Sequence, residues 1–329
     1  MTILDHTDLK DMSNTTVTCM TTVPAITVVQ LAYGIPLFVA MFVFLFILDT
    51  HRRHFFLIVK FDMIVNIFCY INTWTTYRFH RVPYFCQAVI ALETWLPGTI
   101  GVFRIASVWF FHMQFMNSTH LGLHRLVMVQ ADVTLITTFE KSYYYIVLGS
   151  LAYSFAHIFP FTNYVKSVAI GDSIVQYLNK DLSDLVRKID CCCSVFYFIV
   201  LTLIGIYTVR YFKKNTMSIV SSHEDTNAKI SQRLTVIAIV NSVLYIGIMF
   251  YDVFVGIPLF FPNFQLSIYE WNPIVLTFAS DLITVSMPIL LLYGNKAVRE
   301  KMPKLRNFLI PITKVAHSSS AYPVVTPVA

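Results

Sequence analysis

Polar side chains recur at helical spacing inside stretches that are otherwise apolar, and these are the residues with chemistry to do. Asp62, Asn66 and Thr73 stand at i, i+4 and i+11. Thr277, Asp281 and Thr284 stand at i, i+4 and i+7, and Asn241, Tyr245 and Asp252 form a third series. Each set falls on one face of a helix. A polar group in hydrocarbon is costly without a partner, so such faces must turn toward one another. Two readings are open: the groups glue helices together, or they form a relay with two hydrogen-bonding arrangements. At about 1.5 Å of rise per residue, Asn66 and Asp281 reach a similar level and Asp62 lies closer to Thr284. The relay would then comprise Asp62, Asn66, Asp281 and Thr284.

Arg104 offers different chemistry. A guanidinium stays charged and grips an anion with a planar fork. Ser107 comes one turn later on the same side. Either an acidic ligand supplies the anion, with Arg104, Ser107 and Asp252 as ligand-binding residues, or Asp252 supplies it and Arg104 is structural. Glu93 and Glu270 are the other carboxylates near that level. His112 and Gln114 lie further along; with no second ligand at metal spacing, His112 reads as a packing residue and no metal site is expected. No Ser-His-Asp set or phosphate loop is recognisable, so neither an enzyme nor a cofactor is expected.

The elements that must hold these residues are membrane spans. The chain is 56% hydrophobic and 13% charged over 329 residues, with a mean hydropathy of +0.64, more apolar surface than one soluble core can hide. A spanning helix needs about 20 mostly apolar residues. Seven runs qualify, at 25–48, 55–77, 97–121, 142–162, 191–212, 234–255 and 272–293. They are too long and too uniform for barrel strands. The expected fold class is an all-α membrane protein, a seven-transmembrane helix bundle. Its parts are an extracellular tail at 1–24, the membrane domain at 25–293 and a cytosolic tail at 294–329. In that tail Val298, Met302, Leu305 and Leu309 are spaced for a short surface helix, broken at Pro303.

Lys and Arg set the orientation. With the N-terminus outside, most of the 24 Lys and Arg fall in cytosolic segments: Arg52, Arg53, Arg125, Lys141, the group from Arg210 through Lys213 and Lys214 to Arg233, and the C-terminal tail. Arg78, Arg81, Lys166, Lys180, Arg187 and Lys188 fall outside. The net charge of +6 is thus a topology signal, and no basic-aromatic interleaving points to nucleic acid. Asp5, Asp8 and Asp11 precede the first apolar run, so no cleavable signal peptide is expected. Asn14 opens a glycosylation sequon in the outer tail, whereas Asn117 falls at the inner end of the third run, out of reach. Cys86 and one of Cys191, Cys192 and Cys193 sit near outer helix ends, where a bridge is feasible; the alternative is free, packed thiols.

Several stretches together resemble a known family. They are Tyr33-Gly34-Ile35-Pro36, the segment from Asp62 to Trp74 and Phe110-Phe111-His112-Met113-Gln114-Phe115. Others are Leu123-His124-Arg125, Leu234-Thr235-Val236-Ile237-Ala238, Ser280-Asp281-Leu282 and Met287-Pro288. The chain is similar to nematode serpentine receptors of class gamma, chemoreceptors classed with G-protein-coupled receptors. The resemblance implies that His124-Arg125 occupies the place of the acidic-Arg-aromatic motif of rhodopsin-like receptors, and Met287-Pro288 with Tyr293 that of Asn-Pro-x-x-Tyr. Both depart from the pattern: no acid precedes Arg125, Met287 replaces the Asn, and Ile100 occupies the usual disulfide position.

The expected function is that of a chemosensory receptor in the plasma membrane of sensory cells, binding an external small molecule and opening a cytosolic cleft to a heterotrimeric G protein. His124, Arg125, Lys213, Lys214 and Arg233 would form the basic rim of that cleft. The other partner is membrane lipid. The rival readings are a seven-helix ligand-gated ion channel and a transporter with a path along Asp62 and Asp281.

Overall fold

A computed structural model describes residues 12–49, 54–130, 133–159, 162, 165–219, 226–261 and 272–294. Arg52, Arg53, Glu270 and the expected tail helix lie outside the described residues. The helices are α1 (Ala25–Asp49), α2 (His54–Thr73), α3 (Pro83–Trp95), α4 (Thr99–Gln130), α5 (Val133–Ile158), α6 (Lys180–Ile219), α7 (Thr226–Phe260) and α8 (Asn272–Gly294). All but α3 coincide with the apolar runs. The bounds differ most in α6, which starts eleven residues earlier than its run, followed by α4, which continues to Gln130, and α5, which starts at Val133. Asn117 therefore lies buried in the interior of α4 rather than at its inner end.

Among the described residues, four segments are long and apolar enough to cross a membrane: Ala25–Leu48, Phe55–Arg81, Lys180–Tyr211 and Thr235–Pro258. There is a fifth if α3 and α4, which meet at 107°, form one broken span. The protein is a helical, multi-pass membrane protein, and its surface is apolar accordingly. Phe46 and Tyr145 are 75% and 78% exposed, as lipid-facing side chains should be.

Two departures from regular helix position the polar residues. After α2 the chain widens into a π-turn at Trp74–Arg78 and then a 3-10 turn at Phe79–Arg81. Such turns rotate the facing of the residues beyond them and collect at functional positions; here Arg78 is swung into the protein and fully buried. This corrects its assignment to an outer loop. The second departure is the corner between α3 and α4, where Gly98 takes φ +92°, a left-handed conformation that glycine adopts without strain. The buried Glu93 carboxylate accepts from the Gly98 and Ile100 N–H groups at 2.7 and 2.8 Å, satisfying donors that the start of α4 leaves open.

A small antiparallel sheet lies beside this corner. Its strands β1 (Met12–Thr18), β2 (Val165–Ile170) and β3 (Ser173–Asn179) run in the order β1-β3-β2. Asn14 pairs with Tyr177 and Val168 with Val175, and the β2–β3 turn passes through Gly171 at φ +58°. Gly101 lets the hairpin approach α4: an added Cβ would sit 3.1 Å from the Val165 carbonyl oxygen. A Cys19–Cys86 disulfide ties the end of β1 to α3. Cys86 therefore pairs with Cys19, which neither alternative foresees, and the feasible bridge to the 191–193 triplet is not formed; Cys191, Cys192 and Cys193 are free thiols.

The bundle core has an inner cluster around Met41, Phe44, Phe56, Val59, Leu121 and Leu291. A second cluster holds Phe115, Tyr197, Tyr245, Met249 and Ile283. Helix α4 packs against α2, α5, α6 and α7, so its polar residues reach most of the bundle.

Candidate functional site

One half of the bundle is organised round Arg78. Its guanidinium meets the Asp281 carboxylate at 2.9 Å and donates to the Thr277 carbonyl oxygen at 2.9 Å. The Tyr33 hydroxyl donates to the same carboxylate at 2.5 Å, and Gln30 reaches the Thr277 hydroxyl at 3.4 Å. The Trp74 ring lies 4.9 Å from the Arg78 guanidinium carbon, within cation-π range. One buried ion pair thus pins α1, the π-turn and α8 together. Asp281 is engaged with this cluster, not with Asp62.

Asp62 and Asn66 belong to a second, deeper network. The Asn66 amide donates to Asp62 at 3.1 Å and accepts from Gln114 of α4 at 2.8 Å. All three side chains are buried. Thr284, the remaining expected relay member, turns its hydroxyl back to the Ser280 carbonyl at 2.8 Å, the ordinary resting place of a helical threonine. Ser286 joins α8 to α7 through Asn241 at 2.9 Å.

Each of the expected ligand residues is engaged with a different partner. Arg104 bonds to Gln176 of β3, which places it against the hairpin. Ser107 accepts from Asn72 at 2.8 Å, bridging α4 and α2. Asp252 accepts from Ser194 of α6 at 2.6 Å. The guanidinium and the Asp252 carboxylate thus each have another partner. His112 is buried in the helix packing with one ring nitrogen engaged: its Nδ1 lies 2.9 Å from the Tyr197 hydroxyl, which in turn donates to Tyr153 at 2.9 Å, while its Nε2 lies 3.5 Å from the Asp190 carboxylate without a hydrogen bond. Its ring centroid also lies 4.5 Å from that of His157, the two rings tilted by 52°. His157 is one residue from the end of α5, while His112 is thirteen residues into α4. The first turns of α4 therefore stand beyond the end of α5, roofed by the hairpin.

At the opposite end, His124 is buried between the rings of Phe55 and Phe139. Arg125 is not on a rim. It is 1% exposed, with its guanidinium 3.7 Å above the Phe55 ring, and it lines a cavity of about 400 Å³ between α4, α6 and α7. Lys213 and Lys214 lie near the end of α6 and Arg233 near the start of α7; the structure describes no side-chain contacts for them.

Sequence reasoning gave Tyr33 and Gln30 no polar role, assigned Arg78 to an outer segment, and named Glu93 only as a carboxylate near the level of Arg104. A signal existed for Gln30 and Tyr33, which are polar residues one turn apart in an apolar run. Arg78 gave none, because at the end of such a run a basic residue reads as a loop anchor.

A family model described as Srg family chemoreceptor matches residues 27–302. Serpentine receptor class gamma-47 of Caenorhabditis elegans is 26% identical over 284 residues, covering 84% of this chain and 89% of that relative.

Proposed function

The chain belongs to the Srg family of chemoreceptors, and we propose that it works as a seven-span G-protein-coupled receptor, N-terminus outside and C-terminus in the cytosol. The observation that carries the reading is the gathering of chain segments at one end. The strand before α1, the corner before α4 and the hairpin between α5 and α6 form one sheet-and-helix cap, closed by the Cys19–Cys86 disulfide. Disulfides persist on the oxidising side of a membrane. With that end outside, seven alternating crossings bring Arg125, Lys213, Lys214 and Arg233 to the cytosolic end, in agreement with the positive-inside bias.

In this reading a small molecule enters beneath the cap, near Arg104, Ser107 and Asp252. An anionic ligand competes with Gln176 for the Arg104 fork, since a charged acceptor binds it more strongly than a neutral amide does. The Arg78–Asp281 clamp and the Asp62–Asn66–Gln114 network lie between that level and the inner end. They are the groups whose partners change as the population shifts toward a coupling state. The basic inner end, with His124 and Arg125 at its base, receives the G protein. The protein resides in the plasma membrane of sensory cells, with Asn14 glycosylated on the outside.

The test is a cell line expressing the full chain with a promiscuous G protein. A C-terminal tag should be stained only after permeabilisation, and stimulation should raise a second messenger. A tag accessible on intact cells, or a current without second messenger, would favour the channel reading.

A further inference from the structure

Arg125 poses a problem of charge. Its Nε and Nη2 have no hydrogen-bond partner among the described residues, and the Phe55 face lies against the guanidinium. A buried guanidinium without a counter-ion is strongly unfavourable. The cavity it lines is of ligand size; pockets run to about 300–1,000 Å³. Its other walls are mostly apolar, with the hydroxyl residues Thr202, Thr208 and Ser242 among them. Gly122 brings α4 against Ile204, where an added Cβ would sit at 3.0 Å, and Gly205 faces open space, its added Cβ meeting nothing within 4 Å.

The cavity opens sideways. Two of its wall residues, Ile206 of α6 and Val243 of α7, are 44% and 60% exposed on the apolar outer surface of the bundle. Arg210, on the same wall, adds a second cation at the margin. A soluble anion would have to cross hydrocarbon to enter there. An amphiphile already in the bilayer would not.

We propose that the crevice between α6 and α7 binds an anionic phospholipid of the cytosolic leaflet, its phosphate on Arg125 and Arg210 and an acyl chain over Gly205 and Val243. The inference rests on the proposed orientation for which leaflet supplies the lipid. That leaflet carries the anionic lipids and draws basic groups toward it. A bound phosphate satisfies the guanidinium fork. The chain fills space that α6 and α7 leave between them.

The experiment uses the purified full chain in nanodiscs of phosphatidylcholine, doped with phosphatidylserine carrying a photoreactive acyl chain. Phosphatidylcholine with the same photoreactive chain is the control. Labelling by phosphatidylserine should concentrate on peptides spanning 202–210 and 238–246. Unlabelled phosphatidylserine should compete, and inorganic phosphate should not. Arg125→Gln should cut labelling roughly tenfold, as expected for loss of a charge-assisted hydrogen bond. Gly205→Leu keeps the charge but fills the crevice, and should suppress labelling as strongly; it decides the matter alone if Arg125→Gln does not fold. Equal labelling by phosphatidylcholine, competition by phosphate, or wild-type labelling of Gly205→Leu would each overturn the proposal. Nanodiscs expose both leaflets and contain neither ligand nor G protein, so failure of the receptor reading leaves this result unchanged.

Discussion

Arg78 and Asp281, 203 positions apart in the chain, form a 2.9 Å ion pair whose side chains are 0% and 5% exposed. The pair joins the π-turn after α2 to the interior of α8. Tyr33 and Trp74 complete its surroundings from α1 and from the π-turn itself. A buried pair of this kind fixes one arrangement of helices more than it adds stability.

Removing one partner should therefore be worse than removing both. Asp281→Leu or Arg78→Met alone leaves an uncompensated charge and should destabilise by about 3–5 kcal/mol, read as thermal unfolding of the detergent-solubilised protein. The double variant should regain most of that loss. A double variant no more stable than the worse single would mean the clamp is not a pair in the folded protein.

Asp62, Asn66 and Gln114 should behave as one unit. In a double-mutant cycle, Asp62→Asn and Gln114→Ala should interact by about 0.5–3 kcal/mol in ligand potency or basal activity. Strictly additive effects would assign them independent packing roles and remove the relay.

Arg104→Lys keeps the charge but loses the fork that now holds Gln176. It should weaken the response to acidic ligands about tenfold or more while leaving surface expression near wild type. Dose-response curves for an acid and its neutral amide make the comparison. Equal shifts for both would take Arg104 out of ligand recognition.

Asn14 lies on β1, an edge strand, which pairs with β3 on one side. Glycosidase should shift the wild-type band on a gel and leave Asn14→Gln unshifted. Asn117 is buried inside α4, so a shift that vanishes only in Asn117→Gln would contradict the fold itself.

The helices were legible because an apolar run long enough to span a bilayer has few other uses. The inward stripes were legible too: Asp62 with Asn66, and Thr277 with Asp281, each fall within one cluster. Which stripe faces which was not legible. The rise per residue puts Asp281 and Asn66 at a similar expected level, yet the partner of Asp281 comes from a π-turn whose extra residue no periodicity announces. Cys19 was overlooked because its segment is polar and reads as a loose tail, whereas β1 gains its order only by pairing with residues about 160 positions away. The hairpin did carry a local signal, since Gly171-Asp172 stands between two β-prone stretches. The corner at Gly98 carried another in Pro97-Gly98.

The most direct test of the receptor account is guanine-nucleotide exchange in membranes from cells expressing the full chain and a heterotrimeric G protein, stimulated with fractionated small-molecule extracts. The account predicts that an active fraction accelerates exchange, and that Lys213→Glu with Lys214→Glu abolishes the response at unchanged surface level. A fraction that evokes a current through this chain while exchange stays at its basal rate would contradict it.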